Sequence, residues 1–498
     1  MSAPATGMAP AGQVRRGAEF RYESYDIDPA AGLLTCRYSV DGRHFEERIT
    51  LSPAGRWDHP PVDAAARLVF LLAGVSYYKT AAPPVIQMGD VALTLRERDF
   101  LLGFYRHGLA EFAYRNGIDL SGLRIEGPEV SGAEGTGPEA RRPEARRPEA
   151  TGSGESAGEG RRPAASAPPA GGPGADPLEA GPREAGPRRV LVPFGGGIDS
   201  IVTVELVRRR ADIALFVVSR PGDYFDAIER PAAVTGLPVV RAGREIDPQL
   251  LRSRELGFLN GHVPVTGILS AIAVMAAALE NRDAVVMSNE WSASVPTVET
   301  GGQAVNHQYS KSEEFEAAFR DLLADTAGLP DYFSALRPRT ELWIAERFAR
   351  LEQYHSSFRS CNRAFHIDKS QRLDHWCGQC DKCCFIDLIL APFLPAAELQ
   401  RIFGGREPLA DPSLAGRFRA LLGTSDGSKP FECVGEVNEC RAATLLAARR
   451  PDRAASKLLD ELAAEVMVLP GRPSTEGLLR PVGRHFIPPA YEFEELLA

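Results

Sequence analysis

The stretch VLVPFGGGIDSIVTVELV, residues 190–207, decides the fold. An apolar run leads into three glycines at 195–197, and the pair Asp199-Ser200 opens a second apolar run. Adjacent glycines weaken any regular element, because each loses more backbone freedom on folding than another residue would. The pattern predicts a buried strand, a loop and a helix, with the loop present for what it can contact.

The same rhythm continues along the chain. The strand-like runs IALFVVS, PVVRAG and DAVVMSNE alternate with helical patterns. Such alternation predicts an α/β fold with a doubly wound parallel sheet, whose ligands bind beyond the carboxyl ends of the strands. We assign residues 189–330 to this domain, and residues 331–498 to a mainly helical region that carries a cysteine cluster.

Two other segments precede this domain. Residues 18–126 combine an alternating stretch, with an Asp41-Gly42 turn, and two stretches of helical periodicity. They predict a separate α+β domain. Residues 127–188 consist almost entirely of Gly, Pro, Ala, Glu and Arg, without aromatic residues, and include ARRPEARRPEA. That composition cannot bury enough apolar surface to offset its ordering entropy, and it predicts a disordered linker.

A strand, a glycine loop and a helix start together form an anion site, because N–H groups and the helix dipole point outward. No Lys-Ser or Lys-Thr follows the glycines, so this is not a Walker loop, and the third glycine of the dinucleotide fingerprint is missing. The segment resembles the Ser-Gly-Gly-x-Asp-Ser loop of the ATP pyrophosphatase superfamily. Gly196, Gly197, Asp199 and Ser200 match it, while Gly195 replaces the first serine.

The resemblance implies that the loop grips the β- and γ-phosphates of ATP and that Asp199 helps to hold Mg²⁺. A plain strand-to-helix turn is the alternative, with Asp199 and Ser200 serving as capping residues. The stretch MSNEWSAS ends a strand on the same side of the sheet. We therefore expect Asn289 and Glu290 to face the nucleotide or the reacting group.

The cysteine cluster contains Cys361, Cys377, Cys380, Cys383 and Cys384. Cys-x-x-Cys turns place two thiolates about one metal, and four thiolates close a tetrahedral structural zinc site. The first four cysteines also resemble the zinc site of the deazaguanine nitrile synthases, which have a pyrophosphate loop too. Unliganded buried thiols or a redox pair are the alternatives, and Cys384 is spare.

Bulk properties limit the classes of function. A formal net charge of −9 disfavours nucleic-acid binding, which depends on neutralising phosphates. The N-terminus has no signal-peptide core, and the longest apolar stretch, 263–279, predicts a buried helix and not a membrane span. We therefore expect a cytoplasmic protein with no membrane or nucleic-acid partner and no obligate protein partner. In that compartment Cys433 and Cys440 are expected in the core and not in disulfides.

The chain resembles one family, the ATP-dependent epimerases of UDP-N-acetylmuramoyl-L-alanyl-L-glutamate. This resemblance implies that the enzyme binds the UDP-muramoyl dipeptide and ATP, and inverts the terminal L-glutamate to D-glutamate through an acyl-adenylate, releasing AMP and diphosphate. It covers most of the chain outside the linker. The stretches that carry it are LLAGVSYYKTAAPP, HGLAEFAYRNGIDL, VPFGGGIDSIVTVE, NGHVPVTGILSA, SNEWSASVP, NHQYSKS and WCGQCDKCCFIDLILAPF.

Inversion requires groups that exchange protons with Cα on opposite faces. The candidates lie in NGH, SNE and NHQYSK beside predicted loops: His262, Glu290, His307, Tyr309 and Lys311. A structural or substrate-binding role is the alternative for each of them. Three further cations could bind the phosphates or carboxylates of the precursor: Lys79, Arg359 and Arg363.

Two other functions fit the loop. One is a pyrophosphate-loop enzyme that adenylates a nucleobase or tRNA, of the thiolase or deazaguanine type. The other is an ATP-binding module with structural zinc and no turnover. Only an enzyme would release AMP when its own substrate is added.

Overall fold

A computed structural model describes residues 15–130, 188–300, 303–425, 430–432, 434–471 and 473–491. Most of the predicted linker, and Cys433, lie outside the described residues. The strands are β1 Glu19–Asp28, β2 Leu33–Val40, β3 Arg43–Thr50, β4 Val85–Gln87, β5 Arg124–Glu126, β6 Arg189–Pro193, β7 Asp212–Ser219, β8 Val239–Glu245, β9 Ala284–Met287, β10 Val298–Thr300, β11 Gln303–Val305 and β12 Asp331–Ser334.

Helices occur along the whole described chain and dominate its last third. They are α1 Pro60–Ala73, α2 Val75–Tyr78, α3 Leu95–Gly108, α4 Ala110–Asn116, α5 Ile198–Val207, α6 Asp226–Thr235, α7 Pro248–Leu251, α8 Val265–Leu279, α9 Glu313–Ala324, α10 Glu341–Ala349, α11 Asp381–Leu390, α12 Ala396–Ile402, α13 Ala415–Leu422, α14 Val437–Ala447, α15 Lys457–Met467 and α16 Thr475–Leu478.

Ten strands form one mixed sheet in the order β12-β9-β6-β7-β8-β3-β2-β1-β4-β5. The strands from β12 to β8 are parallel, as the alternating sequence pattern predicted. The sheet is not parallel throughout, because β1, β2 and β3 are antiparallel neighbours and β3 pairs antiparallel with β8. The prediction of a parallel sheet is therefore correct for the half that carries the glycine loop and wrong for the sheet as a whole.

The strand order reverses beside β6. From β6 the chain runs to β7 and β8 on one side, and it returns to β9 and β12 on the other. The turns that follow β6 and β9 therefore open next to each other. Ligands of open α/β sheets bind in the crevice at such a reversal. Here the turn after β6 is the glycine loop, and the turn after β9 carries Glu290.

Helices cover both faces of the parallel strands. Val190 and Val192 point into a core shared with α5, α10 and α11, while Leu191 points into a core shared with α1 and α8. Burial on both faces explains why these strands are continuous apolar runs without polar alternation. The apolar helix α8, predicted from residues 263–281, lies inside the second core.

The segments 18–126 and 189–330, which the sequence analysis assigned to two domains, share this sheet. Thr50 of β3 pairs with Gly243 of β8, and α1 packs against α8. Pairing with β3 covers an edge of β8 that would otherwise expose unpaired N–H and C=O groups. Residues 331–498 are mainly helical, as predicted, but β12 belongs to the sheet and lies just beyond residue 330.

Candidate active site

The glycine loop turns the chain from β6 into α5. Gly196 has a φ of +76°, and a Cβ atom there would lie 2.1 Å from the carbonyl oxygen of Ala227. Only glycine fits so close a backbone contact. Gly197 precedes α5, and within the described chain no side chain caps this helix. The N–H groups of its first turn therefore point into the loop without a side-chain acceptor.

Asp199 and Ser200, which follow the glycines, place their side chains in different surroundings. The Ser200 hydroxyl donates to the carbonyl oxygen of Gly197 at 3.1 Å. The side chain of Asp199 does not cap the helix, and its carboxylate lies among other acidic groups. The alternative reading, in which Asp199 serves only as a cap, is therefore wrong.

Asp199, Glu290 and Glu341 form a carboxylate cluster beside the loop. One oxygen of each lies within 4.8 Å of the others. Glu290 follows β9, and Glu341 begins α10, whose N-terminus Thr340 caps. Both glutamates are buried. Three carboxylates at this separation repel one another unless protons or a cation intervene.

Burial and mutual repulsion dominate the electrostatics of the carboxylate cluster. Burial and the charge of Glu290 raise the pKa of Asp199 to about 6, although the ammonium groups of Lys382 and Lys311 oppose the shift. Burial and the charge of Asp199 raise the pKa of Glu341 well above its usual range. Asp199 Oδ1 and Glu341 Oε2 are buried without a partner among the described residues.

Glu111, His262 and His307 form a second group, the histidine cluster. Glu111 lies on α4, and its carboxylate is hydrogen-bonded to Nδ1 of His307 and to Nε of Arg115. The centroids of the two imidazole rings are 4.2 Å apart. Because Nδ1 of His307 contacts the carboxylate, Nε2 is the nitrogen through which this ring can exchange a proton.

The histidine cluster is electrically balanced. Burial opposes ionisation of Glu111, but the hydrogen bond and the charge of His307 lower the pKa of this carboxyl below its usual value. Burial and the charge of His307 lower the pKa of His262 to about 4. The His262 imidazole is therefore neutral at pH 7 and can accept a proton.

Two lysines, Lys79 and Lys311, lie near the histidine cluster. Lys79 Nζ donates to Asn260 Oδ1 at 3.0 Å, and burial lowers the pKa of this lysine. The charges of Lys311 and Lys79 both lower the pKa of His262, and the charge of Lys311 also lowers that of Asp199. Lys311 therefore lies within electrostatic reach of both clusters, which belong to one region of the molecule.

The Sγ atoms of Cys361, Cys377, Cys380 and Cys383 lie within 4.8 Å of one another. Cys377 and Cys383 are 3.6 Å apart, and Cys380 and Cys383 are 3.4 Å apart. Tetrahedral zinc with Zn–S bonds of ~2.3 Å separates its sulfurs by about 3.8 Å, so these four thiols fit such an ion. Cys384 is buried outside the set, and burial raises the pKa of its thiol to about 12.

A cavity of about 880 Å³ opens beside the histidine cluster. Asn306 and Tyr309, on either side of His307, line it together with Tyr114 of α4. Its volume lies in the range of ligand pockets, roughly 300–1,000 Å³. The cavity can therefore accept part of a large substrate next to the imidazoles.

The structure brings together most of the residues that the sequence singled out. The loop residues, Asp199 and Glu290 lie at one cluster; His262, His307, Lys311 and Lys79 lie at or near the other. The remaining candidates are placed differently. Tyr309 lines the cavity, Asn289 is buried, Arg359 donates its backbone N–H to Gly196 at 3.2 Å, and Arg363 is exposed.

Sequence reasoning missed Glu111, Glu341 and Lys382. Glu341 had a usable signal, because it follows the capping residue Thr340 in the first turn after the last strand of the parallel set. Glu111 had none, since an acidic residue within an amphipathic helix is usually solvated. Tertiary structure alone brings α4 against His307.

Comparisons with known proteins cover nearly the whole chain. The family described as MurL N-terminal domain matches residues 12–154 and 167–335, and that described as MurL C-terminal domain matches residues 357–475. No helix in the described part of the chain is long and apolar enough to cross a membrane.

Three curated relatives carry the name UDP-N-acetyl-alpha-D-muramoyl-L-alanyl-L-glutamate epimerase. The protein from Xanthomonas oryzae pv. oryzae is 36% identical over 95% of this chain and 95% of its own length. The Salinispora tropica protein is 37% identical over 86% of this chain and 84% of its own. The Micromonospora sp. protein is 37% identical over 96% and 98% respectively. Matches of this identity and coverage show that the chain belongs to the MurL family.

Proposed function

We propose that this protein inverts the terminal L-glutamate of UDP-N-acetylmuramoyl-L-alanyl-L-glutamate to D-glutamate, in an ATP-dependent reaction of peptidoglycan precursor synthesis. The substrate follows from the names of the relatives. The observation that carries the mechanism is the neighbourhood of a glycine loop, a buried cluster of three carboxylates and a Glu–His–His group. We place the protein in the cytoplasm and propose no obligate protein partner.

The glycine loop would bind the β- and γ-phosphates of ATP. Its support is the uncapped N-terminus of α5, with Gly196 held close to Ala227. Asp199, Glu290 and Glu341 would hold Mg²⁺, which prefers carboxylate oxygens and phosphates. The metal would supply positive charge to the phosphates. It would also offset the burial and the carboxylate repulsion that raise the pKa of Asp199 and of Glu341.

Adenylation makes the Cα proton acidic enough to leave. An α-carboxylate oxygen of the substrate attacks the α-phosphorus of ATP, the bond to the bridging oxygen breaks, and diphosphate departs with that oxygen. A carboxylate next to Cα disfavours a carbanion because it is already negative. In the acyl-adenylate the carbonyl accepts the electron pair when Cα loses its proton.

The histidine cluster would transfer the protons. Glu111 orients His307, so that Nε2 of this ring faces away from the carboxylate and takes or returns a proton at Cα. His262, neutral and in ring contact with His307, is too close to that ring for Cα to lie between the two, and it would instead pass a proton to or from His307. Lys311 would stabilise negative charge that develops between the two clusters. After reprotonation on the opposite face, water cleaves the acyl–phosphate bond and releases AMP and the D-glutamate carboxylate.

We further propose that the four cysteines bind one structural zinc ion. Their separations match a closed tetrahedral site, and three of the four are buried. Metal analysis of protein purified without chelators should find about one zinc per chain. Cys380→Ser should lose it and unfold at a lower temperature, because structural zinc contributes roughly 10–16 kcal/mol of apparent binding energy in small finger peptides. Cys384→Ser is the matched control and should retain zinc.

The reaction itself can be tested in D₂O. With UDP-muramoyl dipeptide and Mg-ATP, deuterium should appear on Cα of the terminal glutamate, and AMP should accumulate with the D-epimer. Neither should occur without ATP. Epimerisation without ATP, or ADP as the product, would contradict the adenylate mechanism.

A shortened substrate tests the assignment of the activated carboxylate. UDP-N-acetylmuramoyl-L-alanine lacks the glutamate, and it should release little AMP because its carboxylate would be misplaced, and positioning supplies much of the rate. If no muramoyl peptide triggers AMP release, the substrate assignment fails.

A further inference from the structure

We propose that Ser360 and Arg359 complete the phosphate-binding loop, and that the Ser360 hydroxyl replaces the one that Gly195 lacks. The ligand would be the terminal phosphates of Mg-ATP, so the inference rests on the proposed function. The two residues belong to the segment that leads into the cysteine cluster, far from the loop in sequence.

The Arg359–Ser360 segment lies directly against the glycines. The backbone N–H of Arg359 donates to the carbonyl oxygen of Gly196 at 3.2 Å. A Cβ atom on Gly197 would lie 3.6 Å from the Cβ atom of Ser360, which is ordinary van der Waals contact. The serine side chain therefore borders the residue that opens α5.

The polar atoms of this segment are not satisfied within the protein. The Oγ atom of Ser360 and the Nε atom of Arg359 are buried without a hydrogen-bond partner among the described residues. Arg359 is 4% exposed, and its Nη1 atom contacts Asp226 Oδ2 at 3.1 Å. Buried donors without partners are costly in a native structure. A bound phosphate would satisfy both donors, and charge-assisted bonds of this kind are strong.

The cysteine cluster would hold this segment in place. Cys361 follows Ser360 directly, is fully buried, and shares its site with three other thiols. An ion bound there would restrain the adjoining backbone. The segment that contacts the glycine loop in space is therefore also the one that leads into the cysteine site.

A serine at position 195 would place a hydroxyl on the glycine loop itself. A Cβ atom on Gly195 would meet no other atom within 4 Å, and Gly195 is not among the positive-φ glycines. A serine at this position therefore needs no change of backbone. It would restore the Ser-Gly-Gly-x-Asp-Ser pattern of the superfamily.

Equilibrium binding of Mg-ATP to the full chain tests the inference. Ser360→Ala should weaken ATP binding by about tenfold, the loss of one hydrogen bond to a charged group. Adding Gly195→Ser to that variant should recover most of the affinity. Ser357→Ala is the control, because the Ser357 hydroxyl is already bonded to the carbonyl oxygen of Tyr354 at 3.1 Å. The zinc content of all variants should equal that of the wild type.

The outcomes separate the inference from the proposed function. Wild-type protein that does not bind Mg-ATP would refute the proposed function itself. Equal ATP affinities for wild type, Ser360→Ala and Ser357→Ala would refute only the role of Ser360. If Ser360→Ala weakened binding of the UDP-muramoyl dipeptide and left ATP binding unchanged, the phosphate would belong to the substrate and the assignment to ATP would be wrong.

Discussion

The carboxylate cluster and the histidine cluster each bring three ionisable side chains together, but they differ in charge. Each gathers three potential ligand groups within 4.8 Å. In the first, burial and mutual repulsion raise the pKa of Asp199 and of Glu341. In the second, the His307 partner lowers the pKa of Glu111 despite its burial. Three converging side chains therefore do not by themselves define a metal site.

The difference indicates what each cluster still needs. Unpartnered oxygens on Asp199 and Glu341 need a cation. The Glu111 carboxylate already contacts both His307 and Arg115, so a metal would have to displace existing hydrogen bonds. The first cluster is suited to holding a cation, and the second to moving protons.

The largest effect should come from Asp199→Asn. It removes the charge nearest the loop while preserving the size of the side chain, and we expect ATP-dependent AMP release to fall at least about 1,000-fold. The measurement is AMP formation in the presence of the muramoyl dipeptide. Glu346→Gln, on the outer side of α10 where Glu346 pairs with Arg350, should behave like wild type. Near-normal turnover by a folded Asp199→Asn protein would remove the carboxylate cluster from the mechanism.

A smaller effect is expected from Glu111→Gln. The neutral amide keeps the shape but cannot stabilise a protonated His307, so kcat for epimerisation should fall about 100-fold. Affinity for Mg-ATP should stay the same, since the histidine cluster would not touch the phosphates. Glu255→Gln, a change at an exposed glutamate that pairs with Arg252, serves as control. If Glu111→Gln lost Mg-ATP affinity as strongly as it lost kcat, the two clusters would not have separate roles.

Glu341→Gln should change stability in opposite directions with and without metal. Burial raises the pKa of Glu341 in the folded protein. The folded state of the metal-free wild type therefore loses stability as pH rises above ~4.3, the pKa of a glutamate in the unfolded chain, and the substitution removes this loss. We therefore expect Tm at pH 7 to rise by about 1–3 °C. The increase in Tm on adding Mg²⁺ should in turn be smaller than in wild type. If the metal-free Glu341→Gln protein were less stable than the metal-free wild type, the buried Glu341 carboxyl would not destabilise the folded state.

The smallest effect should appear in His262→Asn. The folded pKa of His262 is about 4, so the unfolded chain binds the extra proton between about pH 6.5 and pH 4. Wild type should lose stability as pH falls through that window, and the variant should lose less. Urea unfolding at pH 7 and pH 4.5 measures the difference, with His375→Asn, at an exposed histidine, as control. Identical pH dependence in both variants would mean that His262 is not buried as a neutral group.

Local sequence predicted the strand, the glycine turn and the helix that follows it. The strand, the three glycines and Asp199 are contiguous, so their spacing already determines the turn. The cysteine set was also predictable, because three of its members follow one another at two-residue gaps. The histidine cluster could be predicted only as separate candidates. Its carboxylate comes from α4, and no local pattern specifies that α4 packs against residue 307.

The fold also has one part that the sequence predicts and one part that it does not. Alternating apolar runs predicted the parallel strands β6 to β9, because each run is complete within a few residues. The pairing of Thr50 with Gly243 could not be predicted, because backbone hydrogen bonds between distant strands carry no side-chain signature. The strands that the sequence analysis assigned to two domains therefore form one sheet.

The β3–β8 pair also limits how the gene of this protein can evolve. The edge of β8 is closed only when residues 43–50 are present, and Glu111 comes from the same half of the chain. A gene fragment encoding residues 189–330 alone would encode an open strand edge, prone to aggregation, and a histidine cluster without Glu111. Recombination that exchanged one half without the other would therefore be selected against.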